Sequence, residues 1–568
     1  MEYKVGGENR ANHFLDFELS VPCKGLKTIK LILPKWRPGR YEMGNFAKNI
    51  RGFQITNERG KTVDFKKTES HTWEVLAENS AQLLVKYQVY ANELNAGSSY
   101  TDLEQLYVNP INCCFYTEEL KDLPHRIRFE VPQDYIFATS LKQVKKSLFE
   151  AKNFDELADS PVIASKNLKH GSFNVGRNTF HLWFQGECKP NWKKLTADFT
   201  AFIKRQVADF GSTPFKDFHF LFQITPYPYY HGVEHLNSTV IALGPGFQLM
   251  DEVLYKELLG VSSHELFHAW NVKSIRPKEM LPYDYQHENY TELGYITEGF
   301  TTYFGDLYLS KAELADEKMW FDLLHKLLDR HSLNYGRYNY SVKESSFDTW
   351  LDGYVKGIPN RKTSIYVEGA LIAWMLDLEI IHGTKGKENL SSLMQALYID
   401  FALKGQGVAE STLIDLLKKL TGKDFNDFFQ SYYSKSGDLF EGLNQRLKYI
   451  GLGLEKIPHE HYAAKKWGLL IDSQDTVSQM APDSPGEKNA FGVGDQIISI
   501  NGISVKRNAN AWFNYFEEEI DVVVVESMGQ LKTLTLTPAS ESYFEKYRLK
   551  KTAKSNALQK ALFDKWCK

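Results

Sequence analysis

Thiol chemistry is scarce in this chain. Five cysteines are spread over 568 residues, at Cys23, Cys113, Cys114, Cys188 and Cys567, and no two are spaced as Cys-x-x-Cys. An odd, scattered set supports neither a disulfide framework nor a thiolate zinc site. Charge of one sign is missing too: 68 Lys and Arg stand against 71 Asp and Glu, a net −3. That balance excludes strong nonspecific attraction to nucleic acid or to an anionic membrane. No uninterrupted apolar run approaches the length of a membrane span. The opening Met-Glu-Tyr-Lys-Val lacks an apolar core, so no signal peptide is expected and a cytoplasmic location is the simplest expectation. A chain whose leader had been removed would read the same way. Internal repeats and low-complexity tracts are absent from the sequence.

What is there is a large, well-buried globular protein, 43% hydrophobic and 14% aromatic. Its length exceeds what one core supports, and three or four domains are expected. Residues 1–165 alternate in period two. Phe14 to Leu19, Thr28 to Leu33, Leu83 to Val89 and Arg126 to Val131 read as strands, separated by turn signals such as Glu58-Arg59-Gly60. This predicts an N-terminal all-β domain, a β-sandwich. Strands such as Phe218 to Ile224 persist in 166–440, but helical patterns dominate from about 246 to 432. After Gly442 the chain is Gly-rich and β-like again. The run Gly494-Asp495-Gln496-Ile497 through Ile500-Asn501-Gly502 resembles a PDZ domain, expected over 441–540 with strands at Asp521 to Glu526 and Leu531 to Leu536. Such domains bind extended peptides by strand addition. The basic stretch Lys546 to Lys568 reads as a helical tail over 541–568 with a solvated face.

One segment carries chemistry. Ser263-His264-Glu265-Leu266-Phe267-His268-Ala269-Trp270 contains His-Glu-x-x-His. On a helix, residues four apart share a face, so both imidazoles can meet one metal ion. Glu265 is offset by one position and can reach a water on that ion. Two nitrogens for Zn²⁺ and a carboxylate for the attacking water suit metal-assisted hydrolysis of a peptide bond. Leu254, Leu258, Val261, Phe267 and Trp270 supply apolar positions at helical spacing, which predicts a buried helix.

A catalytic zinc usually takes a third protein ligand and keeps one position open. His287, Glu288, Glu292 and Glu298 are the candidates downstream. Glu288 lies at the thermolysin-type interval, nineteen residues separating it from His268, but in a polar, aromatic loop. Glu298 sits in the apolar stretch Tyr295 to Phe304, beside Gly299, which has no side chain to crowd a second helix. Context favours Glu298, with Glu288 as the alternative.

Several segments together carry a family resemblance. They are His264-Glu-Leu-Phe-His268-Ala-Trp-Asn-Val-Lys, Thr297-Glu-Gly-Phe-Thr, Leu33-Pro-Lys-Trp-Arg-Pro-Gly-Arg-Tyr41 and the C-terminal PDZ-like run. The chain resembles the glycyl aminopeptidase family of gluzincin zinc metallopeptidases over nearly its whole length. The resemblance implies a multidomain α+β protein whose thermolysin-like catalytic domain, with a helical subdomain, spans 166–440. It also implies Glu298 as the third ligand of one Zn²⁺ per chain. Tyr230-His231-Gly232-Val233-Glu234-His235 is similar to the Gly-x-Met-Glu-Asn string of zinc aminopeptidases, with Val233 for Met and His235 for Asn. That match implies that Gly232 and Glu234 bind substrate, Glu234 holding the free α-amine. Ser364 to Leu371 is similar to a Tyr-x-Lys-Gly-Ala string, which implies Tyr366 as an oxyanion donor; Glu368 stands where the family carries Lys.

The expected function is a zinc aminopeptidase in which Glu265 is the general base. The resemblance implies a preference for small N-terminal residues such as Gly or Ala. Expected partners are peptides with a free N-terminus and a peptide or protein ligand at the PDZ domain, with no nucleic acid and no membrane span. Asp306, on the same predicted helix as Glu298, is a candidate to orient a zinc histidine. Two other readings use the same residues. A scaffold protein with a degenerate peptidase domain would explain Glu368 and the altered string at Glu234. An endopeptidase would use the PDZ domain to recruit chains.

Overall fold

Strict alternation builds the N-terminal region. In the strand Phe14–Pro22, Leu15, Phe17, Leu19 and Val21 are buried and the residues between them are exposed or half-covered, as a two-residue period requires. This strand pairs with Glu2–Gly6 on one side and Gln82–Tyr90 on the other, inside a seven-stranded sheet. A three-stranded sheet of Thr28–Ile32, Thr72–Leu76 and Phe65–Glu69 shares its core, where Leu31, Trp73 and Val75 meet Phe17, Tyr87 and Phe115. The expected strand from Arg126 is His125–Phe129, which pairs in parallel with Glu2–Gly6. The computed structural model describes residues 1–7, 10–78, 80–354, 357–535 and 537–568.

A four-stranded sheet joins this region to the next. Its Tyr107, Ala138 and Ile163 pack against Leu221, Val233 and Val240 of a five-stranded sheet. That sheet runs in the order Lys169–Val175, Asn178–Gln185, Asp217–Ile224, Ser238–Gly244, Tyr229–Glu234. Ser238–Gly244 is buried at every residue, as befits a strand covered on both faces. Both edge strands pair antiparallel, and one of them, Tyr229–Glu234, borders the cleft described below. The helix Trp192–Phe210 packs beside the sheet and contacts Lys169–Val175; Asn191 caps its start and Gly211, at φ 75°, takes the left-handed turn at its end.

Helices dominate from Glu252 to Leu447. Four matter for the site: Glu252–Phe267, Thr301–Lys311, Glu317–Leu333 and Ile365–Gly383. The last is buried on nearly all sides. It touches the segment Tyr295–Phe300, a π-helical turn leading into Thr301–Lys311, backbone to backbone. A Cβ on Gly299 would lie 2.3 Å from the Cα of Gly369, so neither glycine tolerates a side chain.

Leu452–Ile457 pairs antiparallel with Lys546–Lys551, closing the base of everything between them. That insert holds a four-stranded sheet, Ile503–Ser504, Gln496–Ile500, Val523–Ser527 and Gln530–Leu534, and a hairpin of Leu469–Ile471 with Val477–Met480. The strand expected at Leu531 to Leu536 ends at Leu534, and Leu536 itself lies outside the described residues. Trp467, Ile500, Phe513 and Val523 form the insert's core. The basic tail differs from expectation. Lys546–Lys551 is a strand, and the helix Ala557–Cys567 that follows buries Leu562 and Trp566. Trp566 Nε1 donates to Tyr303 Oη at 2.8 Å, and its ring stacks on Trp374 at 5.8 Å. Lysines on the outer face masked this apolar face in the sequence. No helix among the described residues is long and apolar enough to cross a membrane.

Removing this anchor tests the packing. Trp566→Ala should lower unfolding stability by about 3–5 kcal/mol, as for other buried large side chains. Chemical denaturation reads the change, and a loss below about 1 kcal/mol would show the tail to be peripheral.

Candidate active site

His264 lies in the last turn of Glu252–Phe267, and His268 is its C-cap, still with right-handed helical angles. Their Nε2 atoms are 3.1 Å apart. His268 Nε2 is 3.6 Å from Glu298 Oε2. Donor atoms of His264, His268 and Glu298 all lie within 4.8 Å of one another. Tetrahedral zinc with nitrogen bonds of about 2.0–2.1 Å places two ligand nitrogens about 3.3 Å apart, so the pair fits the ion. Glu234, Glu265 and His268 form a second group within the same limit. The first group fits better, because the second leaves the bare nitrogen of His264 without a role.

The surroundings fix these donors. His268 Nδ1 is 3.0 Å from the carbonyl of Asn271, an acceptor that holds the proton on Nδ1 and leaves Nε2 bare. The Asn271 side chain in turn donates to Ile296 O at 2.8 Å and Thr301 Oγ1 at 2.9 Å, tying the histidine loop to the Glu298 segment. Gly305 lets the two helices approach closely; a Cβ there would sit 3.1 Å from the Cα of His264. Asp306 makes no hydrogen bond to either histidine among the described residues. It lines the cleft instead, its pKa pushed up to about 7 by burial against a weaker pull from Lys326.

Charge in the site is one-sided. Burial, then Glu234 and Glu298, raises Glu265 well above the ordinary carboxylate range. Burial, then Glu234, pushes Glu298 up to about 8. Glu234 is raised as well, by burial, with Lys273 pulling the other way. Burial and the neighbouring His268 lower His264 far below its usual value, and burial pushes His268 down to about 4. Three buried carboxylates therefore face two neutral imidazoles, the protonation state that binds metal. Glu265 Oε2 and Glu234 Oε1 are buried without a hydrogen-bond partner. A cation held between these groups offsets the cost of burying them.

Two glycines keep the carboxylates in place. A Cβ on Gly232 would lie 2.1 Å from Glu265 Oε1, and one on Gly39 would lie 2.3 Å from Glu234 Oε2. Gly39 belongs to a loop of the N-terminal region that reaches into the site. From the same loop, Tyr41 Oη donates to Glu298 Oε1 at 2.8 Å and is 3.1 Å from Thr297 Oγ1. Arg37 is buried there too, its pKa lowered by burial against the attraction of Glu234. A second tie is Lys273, whose Nζ is 2.7 Å from Asp159 Oδ1, while His235 Nδ1 is 3.0 Å from the same oxygen. Burial opposes charge on Asp159, but Lys273 and His235 prevail and hold it below the usual range.

Tyr366 sits in the first turn of Ile365–Gly383, and its hydroxyl is 3.1 Å from that of Tyr354. With His264, Glu265 and Gly232 it lines a cleft of about 1140 Å³. Glu368 points into the core. It is buried with Oε2 2.6 Å from His331 Nδ1, and Thr363 Oγ1 donates to its other oxygen at 2.6 Å. The charge reversal at this position is therefore answered inside the core. Glu288 lies in a loop and joins neither donor group. Of the residues singled out in sequence, His264, Glu265, His268, Glu298, Glu234, Gly232 and Tyr366 gather around one site. Tyr41, Arg37, Asn271, Lys273 and Asp159 were missed; the first four lie in strings quoted above only as family signatures.

Comparison with known proteins follows this geometry. A model of the peptidase M61 N-terminal domain matches residues 2–166, and a model of the M61 glycyl aminopeptidase matches residues 257–372. An aminopeptidase N family protein from Idiomarina loihiensis aligns at 26% identity over 100% of both chains, with TM-score 0.90. An M1 zinc metallopeptidase from Deinococcus radiodurans aligns at 14% identity over 77% of this chain and 94% of that one, with TM-score 0.49. No match is found among curated proteins. Fold and family matches together define a zinc metallopeptidase of the aminopeptidase type. Residues 2–166 and 257–372 thus resemble the M61 glycyl aminopeptidase family.

The His331–Glu368 pair makes a pH test. Burial works against charge on His331, but Glu368 and Asp438 outweigh it, so its pKa is raised above the ordinary 6.5. A raised folded value gives stability that is complete below the unfolded value of about 6.5 and is lost as pH rises through the folded value. The wild-type unfolding midpoint should therefore fall over that window. Glu368→Gln should be less stable at pH 6 and should lack that component of the fall. Equal slopes in thermal scans from pH 6 to 9 would refute the pairing.

Proposed function

We propose that the protein removes small N-terminal residues, Gly or Ala, from peptides with a free α-amine. The observation that carries this reading is Glu234. It is 4% exposed, its Oε1 has no partner, and its carboxylate lies within 4.8 Å of donor atoms of Glu265 and His268. A carboxylate at that place can accept a charge-assisted hydrogen bond from an ammonium, which sets the first peptide bond beside Glu265.

His264, His268 and Glu298 would hold one Zn²⁺. When bound, that ion supplies Lewis-acid polarisation of the scissile carbonyl and lowers the pKa of a water to about 7. Glu265 accepts the proton of the attacking water at its unpartnered Oε2 and delivers it to the departing amine nitrogen. Tyr366 donates its hydroxyl hydrogen to the developing oxyanion. Tyr41 orients the Glu298 carboxylate by holding Oε1, and the Asn271 carbonyl orients His268. The five-stranded sheet with its antiparallel edge and the helices beyond it support a thermolysin-like reading of 166–440.

The strand and helix order of 441–540 supports a PDZ-like reading, but as a support rather than a receptor. Asn510 Nδ2 of the helix Ala509–Phe516 donates to Ile471 O at 3.1 Å, and Tyr462 N donates to Asn514 Oδ1 at 2.6 Å. These bonds tie the helix Ala509–Phe516 to the hairpin strand Leu469–Ile471 and to the segment that opens the insert. The insert instead meets the Glu317–Leu333 helix, with Gln479 Nε2 donating to Leu333 O at 2.6 Å.

Two measurements check the mechanism. Glu265→Gln should keep its bound zinc and lose hydrolysis of Ala-anilide by roughly 10²–10⁴-fold, the usual worth of a general base; activity near wild type would remove Glu265 from the mechanism. N-acetylation of a peptide substrate should lower kcat/KM by roughly 10–100-fold through loss of one charged hydrogen bond. Equal cleavage of blocked and free peptides would mean that Glu234 anchors no amine.

A further inference from the structure

Glu234 and His268 stand on different elements, one at the end of the strand Tyr229–Glu234 and the other at the C-cap of Glu252–Phe267. An amine held by the first meets chemistry at the second only if their separation is fixed. After Glu234 the chain turns back, and His235 N donates to Ser238 O at 2.9 Å. After His268 it turns again, and Lys273 N donates to His268 O at 3.0 Å. Val272 in this second turn has φ 85°. A β-branched residue takes that left-handed value only where its surroundings hold it there.

Both turns meet on one carboxylate from the N-terminal region. Asp159 follows the short helix Phe154–Ala158 as its C-cap. Its Oδ1 is 2.7 Å from Lys273 Nζ and 3.0 Å from His235 Nδ1, and its Oδ2 accepts from Leu236 N at 2.9 Å. The side chain of Lys273 is 3% exposed and that of His235 is 6% exposed, so water does not compete for these bonds. His235 and Leu236 come directly after Glu234, whereas Lys273 closes the turn that starts at His268. An ammonium, an imidazole and a backbone N–H thus share one carboxylate, whose charge makes such bonds short and strong. Asp159 belongs to neither group of metal donors, and its hold on the site runs through the two turns.

We propose that Asp159 is a positioning residue for the substrate's α-amine: by clamping the turn after Glu234 to the turn after His268, it sets the distance between the amine-binding carboxylate and the metal-side histidine. This rests on the aminopeptidase reading and deepens it, since the N-terminal region then takes part in selecting free amines. A residue that only stabilised the fold would act alike on every substrate. A clamp on Glu234 acts on substrates that present an ammonium.

The test compares Ala-Ala-Ala with its N-acetyl derivative on the zinc-loaded enzyme. In Asp159→Asn, kcat/KM for the free peptide should fall by roughly 10–100-fold, chiefly through KM, as expected for a displaced binding group. The value for the acetylated peptide should stay at the wild-type level. Asp159→Asn/Lys273→Met leaves no unpaired buried cation and should show the same selective loss, which keeps the test decisive if the single variant folds poorly. In a Glu234→Gln background Asp159→Asn should add no further loss, because both changes act on one contact. Equal losses on the two peptides, or a fully additive loss in the Glu234→Gln background, overturn the clamp. The wild type separates the two claims: no preference for the free peptide defeats the aminopeptidase reading and this inference with it, whereas a preference that survives both Asp159 variants defeats this inference alone.

Discussion

Three carboxylates buried side by side are the constraint around which the rest of the structure is arranged. Burial raises the pKa of Glu234, Glu265 and Glu298, Glu234 adds to the rise in the other two, and burial holds the imidazoles beside them neutral. Such a set is costly without a cation in its midst. The fold keeps it together by close backbone packing. Gly299 against Gly369 brings the Glu298 segment onto the Tyr366 helix, and Gly305 against His264 brings the next helix onto the histidine helix. Gly232 and Gly39 leave room for the carboxylates themselves.

The site is also a joint. Tyr41 and Arg37 come from the N-terminal region, as does Asp159, the partner of Lys273. That region therefore does more than cover the catalytic sheet; it supplies hydrogen bonds and charge at the centre. At the other end, Trp566 reaches back to the helix that follows Glu298. The insert between Ile457 and Lys546 meets the end of the Glu317–Leu333 helix at Leu333, and the strand Lys546–Lys551 holds the same helix at His325. Chain ends and insert thus converge on the helices that define the substrate path.

How much of this was legible depended on sequence distance. The His264, Glu265 and His268 set was readable because helical spacing alone puts it on one face. Glu298 needed more, since spacing pointed to Glu288; the apolar setting and Gly299 argued for a helix in contact with another, and the structure has that contact at Gly369. Tyr41 was not readable, because its hydrogen bond to Glu298 spans 257 positions and no local pattern marks it. The same holds for Glu368, whose partner His331 is on a separate helix. Period-two strands in the N-terminal region were plain, and Phe14–Pro22 and Gln82–Tyr90 extend slightly beyond their predicted ends. The basic tail misled because charge on the outer face of Ala557–Cys567 obscured Leu562 and Trp566 on the inner one.

The central claim is that His264, His268 and Glu298, rather than a set including Glu288, hold the metal. Titration of zinc into the metal-depleted protein, repeated for Glu298→Gln and Glu288→Gln, tests it directly. The account predicts one zinc per chain, affinity reduced by at least tenfold in Glu298→Gln, and wild-type affinity in Glu288→Gln. Retained affinity in Glu298→Gln together with a loss in Glu288→Gln would contradict it.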